Sequence, residues 1–294
     1  MISVVVPLYN EEKGAAATLA AVAEAIKGME GAEIIAVNDG SSDATEQTVA
    51  KAQIPGVRLI SHPENMGYGK SLTDGILAAK NECVAIIDGD GSYPAPAIME
   101  LYKHYPAFDM VVGARQGWEY RKGLLKGPAR MVFRALAEYA AGRSVPDINS
   151  GLRIFKRSVL LKFGDSFCAG FSFTTTITLL FMLNQHYVKY VPVEYKKREG
   201  SSKVRHFRDT LRALQYIVEA ILFYNPMKLF LLLASVNLIA GGALAAVLQL
   251  FPMGRFYEAL AAALVASFVP ILCLGLIANQ LRKIYATLAA LRGR

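Results

Sequence analysis

Cysteine is scarce in this chain. Its three thiols, Cys83, Cys168 and Cys273, stand alone in sequence and match no metal-ligand spacing, a pattern that suits a reducing compartment. Charge is scarce too: 19% of the residues are Asp, Glu, Lys or Arg, against about a quarter in a soluble globular protein. The charge present is unbalanced, with 32 basic and 24 acidic side chains and a net of +8. No nucleic-acid recognition motif and no interleaving of aromatic with basic residues accompanies it. Nucleic acid is therefore set aside, and anionic lipid or phosphate is the expected partner. The opening MISVVVPLYNEE has no basic start and no cleavage site, so a strand is expected there and not a signal peptide. The sequence shows no internal repeat and no low-complexity linker.

Apolar residues are in excess, 53% of 294, with a mean hydropathy of +0.31. The excess collects in the C-terminal third. Residues 228–251, KLFLLLASVNLIAGGALAAVLQLF, and 256–280, FYEALAAALVASFVPILCLGLIANQ, are each long enough to cross a hydrocarbon core of about 30 Å. Neither run has the polar face that a water-exposed helix shows. Only PMGR separates them, so a helical hairpin is expected. Lys203, Arg205, Arg208, Arg212 and Lys228 precede the hairpin, Arg282, Lys283, Arg292 and Arg294 follow it, and Arg255 alone lies between the runs. The positive-inside rule then places both termini on the cytoplasmic side of a multi-pass membrane protein. Gly241 with Ala245 and Gly242 with Ala246, small residues four apart, favour close packing of these helices. That packing is open to two forms, within one chain or between chains of a homo-oligomer.

Residues 1 to about 115 alternate strand and helix signals. ISVVVPL, AEIIAVNDG, VRLISH, CVAIIDGD and FDMVVGAR read as strands. Between the first three lie a helix opened by Asn10, with Glu11 and Glu12 in its first turn, and a helix capped by Asp43 with Glu46 in a capping-box position. This alternation predicts an α/β domain with a mostly parallel sheet flanked by helices. Polar clusters follow the strand ends at Tyr9-Asn10-Glu11, Asn38-Asp39, Asp88-Gly89-Asp90 and Arg115, where ligands bind in such sheets. Further on, KGPARMVFRALAEYAAG reads as an amphipathic helix with Val132, Leu136 and Tyr139 on its apolar face. HFRDTLRALQYIVEAILFYNP reads as a second, lying in the membrane interface. The expected organisation is a catalytic domain over 1–205, an interface helix over 206–226 and a two-span anchor over 227–294.

In VAIIDGDGSYP, four apolar residues run directly into two carboxylates one residue apart. A carboxylate leaving water must be paired, neutralised or bound to a metal. The motifs VVVPLYNEE, IIAVNDGSSDAT, NMGYGKS, IIDGDGSYP, VVGAR, VPDINSGLRIF and REGSSKV, in that order, resemble glycosyltransferase family 2 with the GT-A, Rossmann-like fold. Within it they resemble the polyprenol-phosphate glycosyltransferases, the group of dolichyl-phosphate mannose synthases and undecaprenyl-phosphate glucosyltransferases. The resemblance covers about residues 1–205, and the hairpin is similar to the anchor of two-span members.

The resemblance implies transfer of a hexose from a nucleotide-sugar, GDP-mannose or UDP-glucose in type, to a dolichyl or undecaprenyl phosphate, with inversion. It implies a DxD motif in Asp88 and Asp90 that holds Mg²⁺ or Mn²⁺ with Ser92, where many relatives carry glutamine, and Gly89 and Gly91 leaving room for the ligand. Pro7, Tyr9, Glu11 and Asp39 then line the nucleotide pocket with Gly69, Lys70 and Asp88. A carboxylate at Asp39 accepts a ring N–H from uracil or guanine alike. The acceptor phosphate falls to Arg115, Arg130, Ser150, Arg153, Arg198 and Lys203, with Arg115 and Arg153 also catalytic beside Asp88 and Asp90, and Asp147 orienting one of the basic groups. A phosphate monoester is largely dianionic at neutral pH and needs no strong base to attack. The threonines of FSFTTTITLLF fit such an acceptor. Two alternatives stand beside this reading. One is a processive polysaccharide synthase, whose Q-x-x-R-W motif is missing around the single tryptophan, Trp118. The other is an inactive membrane scaffold or lipid-transport partner.

Overall fold

The computed structural model describes residues 1–117, 128–164, 173–196, 214–215, 217–219, 221–251 and 254–292. The chain divides into two compact units, Met1–Leu214 and Gln215–Arg294.

The first unit is built on a seven-stranded sheet of order β3-β2-β1-β4-β6-β5-β7. Its strands are β1 (Ile2–Leu8), β2 (Glu33–Asn38), β3 (Val57–Ser61), β4 (Cys83–Ile86), β5 (Met110–Gln116), β6 (Arg153–Lys156) and β7 (Val188–Glu194). All neighbouring pairs are parallel except those of β6, which runs antiparallel to β4 and β5. β1 and β4 are buried along their whole length, as expected of near-continuous apolar runs covered on both faces. Helices α1 (Ala15–Ala25), α2 (Thr45–Ala52), α3 (Tyr68–Ala78), α4 (Ala97–Tyr102), α5 (Pro128–Ala141), α6 (Arg157–Leu161) and α7 (Phe173–Leu183) complete the unit. The core joins Val4, Val6 and Leu8 of β1 to Leu19 and Val22 of α1 and to Ile98 and Leu101 of α4.

Three helices depart from their sequence reading. α1 starts at Ala15, not Asn10, and has no acid in its first turn. The backbone N–H groups that would open an earlier helix are taken by the loop after β2: Asn10 donates to Ser41 Oγ (2.9 Å), Glu11 to Thr45 Oγ1 (2.8 Å) and Glu12 to Asp43 Oδ2 (3.2 Å). Asn10 accordingly adopts φ +50°. At α2, Asp43 Oδ1 accepts the Thr45 N–H (3.0 Å), but Glu46 does not complete a capping box. It accepts from Asn38 Nδ2 (3.3 Å) and Ser61 Oγ (2.8 Å), tying α2 to the ends of β2 and β3. On α5 the side chains of 128–133, Val132 included, lie outside the description; among the described residues 134–141 the fully buried positions are Ala137 and Ala140, while Leu136 and Tyr139 are half-buried and Arg134 pairs with Glu138 (3.1 Å).

In the second unit, Pro226–Leu250 (α8) and Arg255–Tyr285 are long and apolar enough to cross a membrane. The second stretch is two helices, α9 (Arg255–Ala266) and α10 (Phe268–Arg292), broken at Ser267. Pro270 has no N–H to offer the Ala266 carbonyl, which accounts for the break. Gly241 faces α9: a Cβ there would lie 2.8 Å from Val265 Cγ2 and 3.0 Å from the Ala261 carbonyl. A Cβ on Gly275 would meet Phe230 at 2.6 Å, whereas one on Gly242 would meet nothing within 4 Å. The hairpin therefore closes within one chain on Gly241 and Gly275, and Gly242 takes no part.

α3 lies on β1 and β2 through Gly75, where a Cβ would come 2.3 Å from Val5 Cγ1 and 3.2 Å from Val37 Cγ2. Alanine gains about 1 kcal/mol of helix propensity over glycine, but overpacking a fixed sheet costs about 1–3 kcal/mol. Gly75→Ala is expected to lower the melting temperature of the purified chain; an unchanged or raised value would show that the sheet yields.

Candidate active site

Because β1, β2, β4 and β5 run the same way, their carboxyl ends lie on one edge of the sheet. The antiparallel β6 begins at that edge, so residues 148–152 come back to it. Such an edge is where open α/β sheets bind ligands.

Asp88 and Asp90 sit just beyond β4, both half-buried. The Tyr68 hydroxyl, on the first turn of α3, donates to Asp88 Oδ1 at 2.8 Å. Burial first, and the Asp88 charge second, push that phenol well above its usual range, so it remains a donor. On the other side Asp88 rests on Gly151: a Cβ there would lie 2.0 Å from Asp88 Oδ2. Tyr93 fixes Gly151 by accepting its N–H at 2.8 Å. Asp90 Oδ1 accepts from Ser92 N (3.1 Å) and Ser92 Oγ (2.5 Å). Ser92, fully buried, thus positions Asp90 rather than projecting as a separate ligand. The space beside Gly89 is filled by the protein, since a Cβ would strike Leu8 Cδ2 (2.4 Å) and the Pro7 carbonyl (2.9 Å). Gly91 makes the turn, at φ +69°. Among the described residues no three His, Cys, Asp or Glu side chains converge as a metal cage. Two hard carboxylates on one loop are instead the donor set that suits Mg²⁺ or Mn²⁺ shared with substrate phosphates and water.

The nucleotide-side residues gather around β1 and β2. Pro7 is buried in β1, and Tyr9 and Glu11 are half-buried in the loop that follows. Asp39, 5% exposed at its side chain, accepts the backbone N–H groups of Met66 (Oδ1, 2.9 Å) and Gly67 (Oδ2, 2.8 Å). His62 Nδ1 also meets Asp39 Oδ1 at 2.9 Å, and His62 Nε2 meets Asp74 Oδ2 at 3.0 Å. Gly69 and Lys70, expected to line the nucleotide pocket, are helical. They belong to the first turn of α3 with Gly67 as N-cap, and Lys70 Nζ is tied to Asp74 Oδ1 at 2.6 Å.

The acceptor-side residues separate. Arg115 makes a bidentate pair with Asp147, Nε to Oδ2 at 2.7 Å and a terminal nitrogen to Oδ1 at 2.8 Å, and lies over the Tyr195 ring at 5.4 Å. Ser150 is fully buried and donates to the Gly113 carbonyl at 2.5 Å. Arg153 corrects the sequence reading. It is 0% exposed, and its five N–H groups are met by Ser150 O (3.2 and 2.6 Å), Ile148 O (3.3 Å), Thr174 O (3.1 Å) and Thr178 Oγ1 (2.9 Å). Desolvation draws its pKa below the ordinary arginine value. In this geometry it offers nothing to a phosphate; it holds the 148–150 turn against α7. Arg130 stands on α5 with its side chain outside the description, and Arg198, Lys203 and the first part of the expected interface helix, 206–213, lie outside the described residues. Sequence reading missed Tyr68 and Tyr93, though both lie inside the quoted motifs NMGYGKS and IIDGDGSYP. It also missed His62, which no local pattern marks.

This sheet order, with a carboxylate pair beyond its central strand, has the form of the GT-A fold. Residues 3–164 match glycosyl transferase family 2, and the chain belongs to that family. Among curated relatives, the undecaprenyl-phosphate 4-deoxy-4-formamido-L-arabinose transferase of Salmonella choleraesuis (strain SC-B67) is 28% identical over 253 residues, covering 84% of this chain and 75% of the relative. That of Salmonella paratyphi B is also 28% identical, with the same coverage. Glucosyl-3-phosphoglycerate synthase from Mycobacterium tuberculosis, solved with Mn²⁺, UDP and glucosyl-3-phosphoglycerate, shares the fold at a TM-score of 0.60 and 20% identity, over 75% of this chain and 79% of that one.

Two substitutions test the site. In Gly151→Ala the short Asp88 side chain can swing aside, so stability should change little, while the displaced carboxylate lowers kcat/KM about a hundredfold. Full activity would show that Asp88 needs no such seat. Arg153→Met strands four buried oxygens and should lower the melting temperature sharply, by about 3–5 kcal/mol of stability. A stable variant that loses only acceptor binding would return Arg153 to the acceptor site.

Proposed function

We propose that this chain transfers a sugar from a nucleotide-sugar to a polyprenyl phosphate, of the undecaprenyl or dolichyl type, at the cytoplasmic face of a membrane and with inversion. The observation that carries this reading is the Asp88–Asp90 pair, held by Tyr68 and Ser92 at the ligand-binding edge of the sheet. The 28% identical relatives, named for transfer to undecaprenyl phosphate, support the acceptor. The two membrane-length helices, with basic residues flanking them, support the site of action.

Asp88 and Asp90 would hold Mg²⁺ or Mn²⁺, which when bound supplies positive charge against the diphosphate leaving group. Pro7, Tyr9, Glu11 and Asp39 take the base and ribose. Arg115, oriented by Asp147, faces the acceptor phosphate together with Arg130, Arg198 and Lys203, while Arg153 and Ser150 form the wall behind. The acceptor dianion attacks the anomeric carbon, and no side chain has to remove a proton from it. The sugar is mannose, glucose or the 4-deoxy-4-formamido-L-arabinose named for the relatives.

The test is incubation of the purified chain and a polyprenyl phosphate with a panel of nucleotide-sugars, with the glycolipid identified by mass. Asp90→Ala and chelation of divalent ions should each abolish the product, and added Mg²⁺ or Mn²⁺ should restore it in the chelated wild type. Near-normal turnover in a folded Asp90→Ala variant would sink the metal assignment.

A further inference from the structure

We infer that His62 is a specificity-determining residue: by occupying Asp39 it leaves one acceptor position, which selects a uracil-type base over guanine. The inference rests on Asp39 as the base-reading acid of the proposed function. An ionised carboxylate has about four lone-pair positions. On Asp39, Oδ1 receives His62 Nδ1 and Met66 N, both at 2.9 Å, and Oδ2 receives Gly67 N at 2.8 Å. One position remains, on Oδ2. Uracil offers a single ring N–H, at N3, between two carbonyl oxygens, and one incoming oxygen satisfies it. Guanine offers adjacent N1–H and N2–H donors, which match both oxygens of a carboxylate. With Oδ1 committed, one of those donors would be desolvated without a partner, and a site rejects such a ligand strongly.

His62 is well fixed in this role. Its backbone N–H donates to the Asn38 carbonyl at 2.9 Å. Its Nε2 is held by Asp74 on α3, whose other oxygen binds Lys70. The ring is 9% exposed, so water competes little for it. Glu46, the nearest acid on α2, is engaged with Asn38 and Ser61.

Titration calorimetry of the full chain in detergent, with Mg²⁺ and without lipid, compares UDP with GDP. The wild type should bind UDP about tenfold or more tightly than GDP, the loss expected for one unpaired polar contact. His62→Ala frees Oδ1 and should bring the ratio toward one, with melting temperature checked. Asp74→Asn, which only loosens the ring, should move the ratio the same way by less, and it decides the matter if His62→Ala does not fold. Equal or tighter GDP binding by the wild type overturns the inference and leaves the proposed transfer standing. An unchanged ratio in folded His62→Ala does the same. Failure to bind either nucleotide overturns both.

Discussion

Arg153 carries a charge into the interior with no ion pair among the described residues, and the β6 side of the site is arranged around it. Desolvating a guanidinium costs several kcal/mol unless every donor is met. The carbonyls of Ile148, Ser150 and Thr174 and the Thr178 hydroxyl meet them. These oxygens come from a turn and from α7, so satisfying the charge fixes one against the other. Gly151 follows Ser150 in that turn, and Asp88 rests on Gly151. A buried cation thus sets the position of a carboxylate that it does not touch.

The donor side uses the same device with opposite sign. Asp39 is a buried anion that collects two backbone N–H groups and a histidine, and in doing so shapes the turn that starts α3. Gly40, at φ +61°, lets the loop after β2 run against Glu64, where a Cβ would lie 2.4 Å from its backbone carbon. Tyr68, on the turn so formed, then reaches Asp88. Asp39 and the carboxylate pair are therefore linked through the first turn of one helix.

Within the C-terminal unit, side-chain size takes the part that charge takes in the first. Apolar helices have no hydrophobic drive to associate inside lipid, so close contact depends on small residues. Gly241 and Gly275 admit Val265, Ala261 and Phe230, and the hairpin closes on itself. The break at Ser267 next to Pro270 divides the return limb without shortening its apolar length.

The sequence by itself determined the class. Alternating apolar strands and helical patterns dictate an α/β sheet, because each pattern has only one way to bury its apolar face. The DGD after a buried strand and the two long apolar runs were equally legible, since both are local. Tertiary structure alone decided how polar groups were shared. Asn10 and Glu11 read as a helix start until the facing loop takes their N–H groups. Lys70 reads as a nucleotide contact until the first turn of α3 sets it against Asp74. Arg153 reads as a phosphate ligand until its donors are counted. A hydrogen bond between residues far apart in the chain leaves no periodic trace, and donors are finite, so what a side chain offers a ligand is known only once its partners are in place.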